Sequence, residues 1–256
     1  MFLPDDLNNI NINDSTFSIL HLNCRSLFNK INDINFLLNS FNSLPSIVGF
    51  TETWLNDDIS SLVNFPGYSF ISNNRSNKSG GGVGLLIHNK FKFIQHQSFF
   101  ISNNFTDCLA LEIILEKQPN IFLLLMYRPP NTDLNEFLTF LSNLLIKLPL
   151  NKTCYILGDF NIDLLKNDIL NSSINFSNLL NSHCFYPLIL NPTRVSDFSS
   201  TLIDNIFCNK LIEHTSGLIN SDISDHYPIF TIFTLKGISI LANAVYLLGI
   251  IFPYLT

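Results

Sequence analysis

Polar residues stand at points where buried strands have no packing reason to keep them. Asn23 follows the run ILHL, Glu52 follows IVGF and Thr51, and Tyr127 follows FLLLM. Asp159 and Asn161 come directly after CYILG, Asp204 lies inside LIDNIF, and Asp225 and His226 precede the run PIFTIF. Where neighbouring strands end together, such groups converge on one rim of a sheet. A rim of several carboxylates repels itself unless a cation or another positive partner sits there. Oxygen donors of this type suit Mg2+ or Mn2+ rather than zinc. Hydrolysis of a phosphodiester needs such a set. A metal neutralises developing charge, a base or acceptor orients water, and donors hold the crowded phosphorus. A His beside one Asp and held by another supplies a cationic donor.

Each residue taken alone has an ordinary structural reading. Asn23 suits a helix cap, Glu52 a carboxylate at a helix start, and the GDFN stretch around Asp159 and Asn161 a turn. Asp225 and His226, just before Pro228, fit a turn with a surface His. Tyr127 fits a strand-end aromatic with a wet hydroxyl. Asp204 is harder to explain this way, because an unpaired carboxylate inside an apolar strand is costly. The Gly-rich stretch Ser79–Gly84 (SGGGVG) lacks the GK[ST] ending of a phosphate-binding loop and reads as a flexible entry into a strand. His21, His88, His96, His183 and His214 have no ligand spacing and are assigned no role.

The elements that must position these groups alternate between strand and helix. Strands are expected at Phe17–Asn23, Ile47–Thr51, Tyr68–Ile71, Val83–His88, Leu109–Leu115, Ile121–Tyr127, Thr153–Leu157, Ile203–Phe207 and Ile229–Phe233. Helices are expected at Leu27–Phe41, after a cap at Asp133, and at Ile174–Asn181; Trp54–Val63 reads as loop or short helix. Phe137, Phe140, Leu141, Leu144 and Leu145 fall on one face of the second helix. No internal repeat or low-complexity linker divides the chain. Residues 1–15 read as an N-terminal tail, 16–235 as one domain, and 236–256 as an apolar C-terminal tail.

Taken in order, LNCRS (Leu22–Ser26), TETWL (Thr51–Leu55), YRPP (Tyr127–Pro130), GDFN (Gly158–Asn161), IDNIF (Ile203–Phe207) and SDHYPI (Ser224–Ile229) resemble the endonuclease/exonuclease/phosphatase superfamily. The wording of TETWL, GGGVGLLI, YRPP and SDHYPI is most similar to the endonuclease domain of non-LTR (LINE-type) retrotransposons. The resemblance implies a four-layer α/β sandwich of the deoxyribonuclease I type, with two mixed β-sheets packed face to face under outer helices. It implies a divalent-metal-dependent phosphodiesterase that nicks DNA by in-line water attack, with Mg2+ or Mn2+ as cofactor. Glu52 is then the principal metal ligand, with Asn23 and Asp225 near the metal. Asp159 orients or deprotonates water, Asn161 and His226 bond the scissile phosphate, Asp204 orients His226, and Tyr127 helps the leaving group. Thr193 and Arg194, in NPTR, match more loosely as contacts to the DNA backbone.

Composition bounds this reading. Of 256 residues, 46% are hydrophobic and 13% charged, enough to bury a large core. The net charge of −6 argues against a generally basic nucleic-acid coat, so weak, strongly salt-sensitive DNA binding is expected. The five cysteines are dispersed without a CxxC pair, which gives neither a zinc site nor a disulfide framework. They read mostly as small buried hydrophobes in a reducing compartment. The N-terminal stretch has no basic and apolar pattern of a secretory signal, so the expected location is intracellular, in nucleus or cytoplasm. Residues 237–256 carry no charge, which raises membrane association through that tail as an expectation, against Asn243 and Pro253 within it. No obligate protein partner is evident. Two other readings stand beside the DNA nuclease. One is the same fold acting on a phospholipid or other small phosphate ester. The other is an inactive mobile-element fragment, since the endonucleases it resembles continue into a reverse transcriptase.

Overall fold

The computed structural model describes residues 1–75, 80–116 and 118–235. In chain order the elements are β1 (Thr16–Asn23), α1 (Ile31–Asn39), β2 (Ile47–Thr51), α2 (Asp57–Ser60), β3 (Tyr68–Asn73), β4 (Val83–His88), β5 (Lys92–Gln95) and β6 (Ile101–Ser102). They continue with β7 (Asp107–Ile114), β8 (Ile121–Tyr127), α3 (Leu134–Leu145), β9 (Thr153–Asp159), α4 (Asn171–Ser182) and β10 (Tyr186–Pro187). The last are β11 (Arg194–Ser196), β12 (Ser199–Thr201), β13 (Asp204–Cys208), β14 (His214–Leu218) and β15 (Ile229–Thr234).

Two mixed sheets result. The first is six-stranded in the order β14-β15-β1-β2-β4-β3, and the second, which includes the short β6, runs β10-β13-β9-β8-β7-β5. Alternation along the strands builds the layers, because successive side chains point to opposite faces. In β1, Ile19 joins a core between the sheets while Leu20 and Leu22 face α1 with Ile34, Leu37 and Leu38. In β8, Leu123 and Leu125 enter the same inter-sheet core, while Phe122, Leu124 and Met126 pack under α3 and α4 against Phe137, Leu141 and Phe176. The architecture is the expected four-layer α/β sandwich. Gly49 marks a close approach of the sheets: a Cβ there would lie 2.9 Å from Leu157 Cδ1 of the opposite sheet.

Local chemistry explains most element ends. The Asp133 side chain accepts from Glu136 N at 2.8 Å and caps α3 as expected. The first helix starts later than its periodicity suggests. Leu27 N bonds Thr53 O, and Phe28–Lys30 forms a single 3-10 turn before α1. Strands β5 and β14 and the β11–β12 hairpin were not expected. They are short and largely exposed, so they lack the apolar run that marks a buried strand. Residues 1–15 do more than trail. Leu7, Ile10 and Ile12 are buried, and Phe2 exchanges backbone hydrogen bonds with Leu218 and Asn220. Cys24, Cys108, Cys154 and Cys208 are buried free thiols and Cys184 is exposed.

The expectation of membrane association, and the location drawn with it, is corrected. No helix among the described residues is long and apolar enough to cross a membrane. Residues 237–256, which carried that expectation, lie outside the described residues.

Candidate active site

Strand register brings the polar strand ends together. In the first sheet Asn23 pairs with Thr51 across parallel β1 and β2, so Glu52 emerges beside Asn23. In the second, Asp159 pairs with Tyr127 of β8 on one side and Asp204 of β13 on the other. The Asn23 amide joins the two sets. Its Nδ2 donates to Glu52 Oε1 at 2.9 Å and to Asp159 Oδ2 at 2.8 Å. Asp159 also accepts from Asn161 N at 2.9 Å, and Asn161 Nδ2 lies 2.8 Å from Arg128 O and 3.2 Å from Asp159 Oδ2. Asp204 Oδ2 accepts from Thr193 Oγ1 at 2.7 Å and from His226 Nδ1 at 2.8 Å. The chain holds strain here: Glu52, Trp54 and Asn161 have φ of 53°, 54° and 48°. Left-handed backbone costs an L-residue about 1–2 kcal/mol, and such residues cluster at functional sites.

Burial and charge set the protonation states. Burial lowers the basicity of His226, but the adjoining Asp204, then Asp159 and Asp225, outweigh it and hold the imidazole up at about 9. The ring is therefore an imidazolium at neutral pH, and with Nδ1 on Asp204 it has Nε2 left to donate. Burial would raise Asp204, yet its contact with His226 keeps it below the usual carboxylate range. Asp159 is raised, first by burial and then by the charge of Asp204. Burial, with the Glu52 and Asp159 carboxylates, raises the Tyr127 phenol so far that it stays protonated.

A divalent metal fits part of this set. Asp159, Asp204 and His226 offer atoms within 4.8 Å of one another. A cationic His226 already bonded to Asp204 is a poor ligand, so that trio reads as an ion-pair network. Glu52 and the Asn23 amide, once the amide turns its carbonyl inward, offer oxygen donors that suit Mg2+ or Mn2+, with Asp159 beside them. Asp225 stands apart. Its Oδ1 lies 3.0 Å from Arg25 Nη1 and its Oδ2 2.7 Å from Arg194 Nη2, so two guanidiniums occupy the carboxylate expected near the metal. Arg25 and Arg194 are both half-exposed. Thr193, expected beside DNA, is fully buried and braces Asp204 instead.

Residues 20–226 match the Endonuclease/Exonuclease/phosphatase family. The chain belongs to that family. Its fold matches the endonuclease domain of TRAS1, a telomere-specific non-LTR retrotransposon, at 15% identity with a TM-score of 0.68; the match covers 87% of this chain and 100% of that one. It also matches the AP endonuclease LMAP from Leishmania major at 12% identity and a TM-score of 0.71, over 88% of this chain and 90% of that one. D. rerio TDP2, complexed with a single-strand DNA product, matches at 17% identity and a TM-score of 0.62, over 86% and 100%. No curated protein matches the sequence. Enzymes of the family are hydrolases that generally use divalent metals, and the strand-end cluster lies within the matched residues.

Three residues given no role in the sequence reading lie at the site. His21 was assigned no role, yet it is fully buried with Nε2 3.2 Å from Thr51 Oγ1 and Nδ1 3.9 Å from Asp204 Oδ1. Burial holds it down at about 4, so it is neutral. The available signal was its place two residues before Asn23, on the same strand face. Arg128 is buried behind the site, with Nη2 donating to Thr132 O at 2.7 Å and Nη1 to Asn161 O at 3.3 Å. Arg75 reaches Asp107 at 2.7 Å, and its guanidinium lies 5.8 Å from the Tyr127 ring centre. Arg128 lies inside YRPP, where only Tyr127 was given a role, and nothing in the local sequence marked Arg75.

Proposed function

We propose that the protein is a divalent-metal-dependent phosphodiesterase that nicks DNA, acting as retrotransposon-type endonuclease domains do. One observation carries the reading. A single amide, Asn23, bonds two carboxylates from opposite sheets, Glu52 and Asp159, beside a buried Asp204–His226 ion pair. Such a set has no packing value, and with a divalent metal bound it would offer the components that phosphoryl transfer to water requires.

Glu52 and Asn23 would hold the metal, with Asp225 joining if its arginines turn to substrate. When bound, the metal supplies positive charge opposite the phosphoryl oxygens. His226 donates its Nε2 proton to a non-bridging phosphate oxygen, and its charge makes that hydrogen bond a strong one. Asp204 and Thr193 fix the ring. Asp159, made more basic by burial, accepts a proton from the attacking water. Tyr127, kept neutral, acts as an O–H donor toward the departing 3′ oxygen rather than as a base. Asn161 exchanges its longer bond, to Asp159, for a phosphate oxygen. Arg25 and Arg194 offer a local positive rim on an acidic protein, suited to the flanking phosphates. The exposed Phe198 at the tip of the β11–β12 hairpin adds an apolar contact beside them.

The test is nicking of supercoiled plasmid in Mg2+ or Mn2+, against Glu52→Ala and His226→Ala, with EDTA as a control. Loss of either group should lower the rate about a hundredfold or more. Cleavage that survives both substitutions would refute the assignment. Turnover of phospholipids or small phosphate esters in place of DNA would transfer the same machinery to another substrate.

A further inference from the structure

Trp54 is the only tryptophan of the chain and stands on the rim of the site. Its side chain is 48% exposed, between Thr53 and Leu55, which are both buried. Its indole Nε1 donates to Glu52 Oε2 at 3.2 Å, on the carboxylate oxygen that Asn23 leaves free. The segment that presents it is strained and clamped. Glu52 and Trp54 both have positive φ, and Trp54 N bonds Gly81 O at 2.9 Å. Ser26 N and Leu27 N hold the carbonyls of Glu52 and Thr53 at 2.9 and 3.0 Å. Opposite, Gly80, Gly81 and Gly82 take φ of 82°, 71° and 81°, and a Cβ on Gly82 would strike Thr53 Oγ1 at 2.6 Å. A large apolar ring is thus kept out in water by a backbone that resists relaxing, with its N–H pinned to a group at the reacting centre.

We propose that Trp54 is a stacking platform for one nucleobase adjoining the scissile phosphate. The inference rests on the phosphodiesterase reading and adds a base-binding subsite to it. Stacking on an aromatic face tolerates any base, because every base has a π-face. The hydrogen bond to Glu52 fixes the ring relative to the phosphate, so a stacked base sets the reach of the backbone into the site.

The experiment uses the full chain and its single tryptophan as reporter. Short single-stranded oligonucleotides are titrated in EDTA, which stops hydrolysis, beside strands of equal phosphate number built from abasic residues. Base-bearing strands should quench the Trp54 emission, and abasic strands should leave it unchanged. Trp54→Phe and Trp54→Leu are then compared in Mg2+. Both lose the N–H to Glu52, and only leucine loses the aromatic face. The leucine variant should show a KM about tenfold above that of the phenylalanine variant, with equal kcat. Equal quenching by abasic strands, or equal KM in the two variants, overturns the proposal. Should wild type cleave no DNA at all, the phosphodiesterase reading fails, and the emission titration still decides the stacking question.

Discussion

Asn at position 204 should disable the enzyme while leaving its shape intact. The Thr193 hydroxyl accepts from the backbone N–H of Asp204 at 3.1 Å and of Ile203 at 3.3 Å, so its own proton must go to Asp204 Oδ2. That hydroxyl pins an oxygen, not an NH2 group, opposite His226 Nδ1 in the Asp204→Asn variant. The rise of His226 from 6.5 to about 9 corresponds to about 3 kcal/mol of preference for the imidazolium, and Asp204 leads the groups that produce it. Without that charge burial wins, and the ring becomes neutral near pH 7.5. Its remaining proton stays on Nδ1, facing the introduced amide oxygen, and Nε2 turns a lone pair toward the phosphate. A donor is thereby replaced by an acceptor, and the rate should fall about a hundredfold to ten-thousandfold. Single-turnover plasmid nicking measures the rate, and long-range proton–nitrogen NMR reads the ring. Nicking within about threefold of wild type, or a ring still cationic near pH 8, would refute the reasoning. The wild-type ion pair carries its own signature. Because the folded value of His226 is raised, its stabilisation is complete below about pH 6.5 and fades as pH rises through about 9. The melting temperature should drop over that window in wild type and much less in Asp204→Asn.

Two further predictions concern stability. Gly158 has φ of 148°, and a Cβ there would lie 1.7 Å from Met126 O in the adjoining strand, so Gly158→Ala should cost about 4 kcal/mol or more in urea unfolding; a cost below about 1 kcal/mol would contradict that close approach. Glu112 is buried among Lys152, Asn120 and His96, which together keep its carboxyl below the usual range although burial opposes them. That stabilisation is present above about pH 4.5 and is lost as pH falls through the lower folded value. Lys152→Met should cost about 1–3 kcal/mol at neutral pH, with the gap to wild type narrowing toward about pH 3 in thermal melts.

The inner strands and their polar ends were legible because both are written locally. Long apolar runs such as Phe122–Met126 and Cys154–Leu157 specify buried strands, and the polar residues closing them have no partner within the run. Asp204 announced itself by sitting in such a run. Among the described edge strands, β3 was legible, expected at Tyr68–Ile71, and β5, β10 and β14 were not. His214–Leu218 is mostly polar and pairs only because β15 presents a free edge. The contacts that decide side-chain roles were hidden for another reason: they join residues far apart in sequence. Asp225 finds Arg25 across 200 positions, and Thr193 turns inward only because Asp204 needs a donor. His21 had no ligand spacing to mark it, and its burial comes only from the fold.

The first strand sits in the interior of its sheet, paired with β2 on one side and with β15 on the other, where Thr16 meets Thr234. A chain leaving the ribosome therefore presents Asn23 and Glu52 long before it can finish the sheet that holds them. The geometry of the site waits for β15, the last strand among the described residues, so chains that stop short of Ile229 should hold Asn23 and Glu52 in an unfinished sheet.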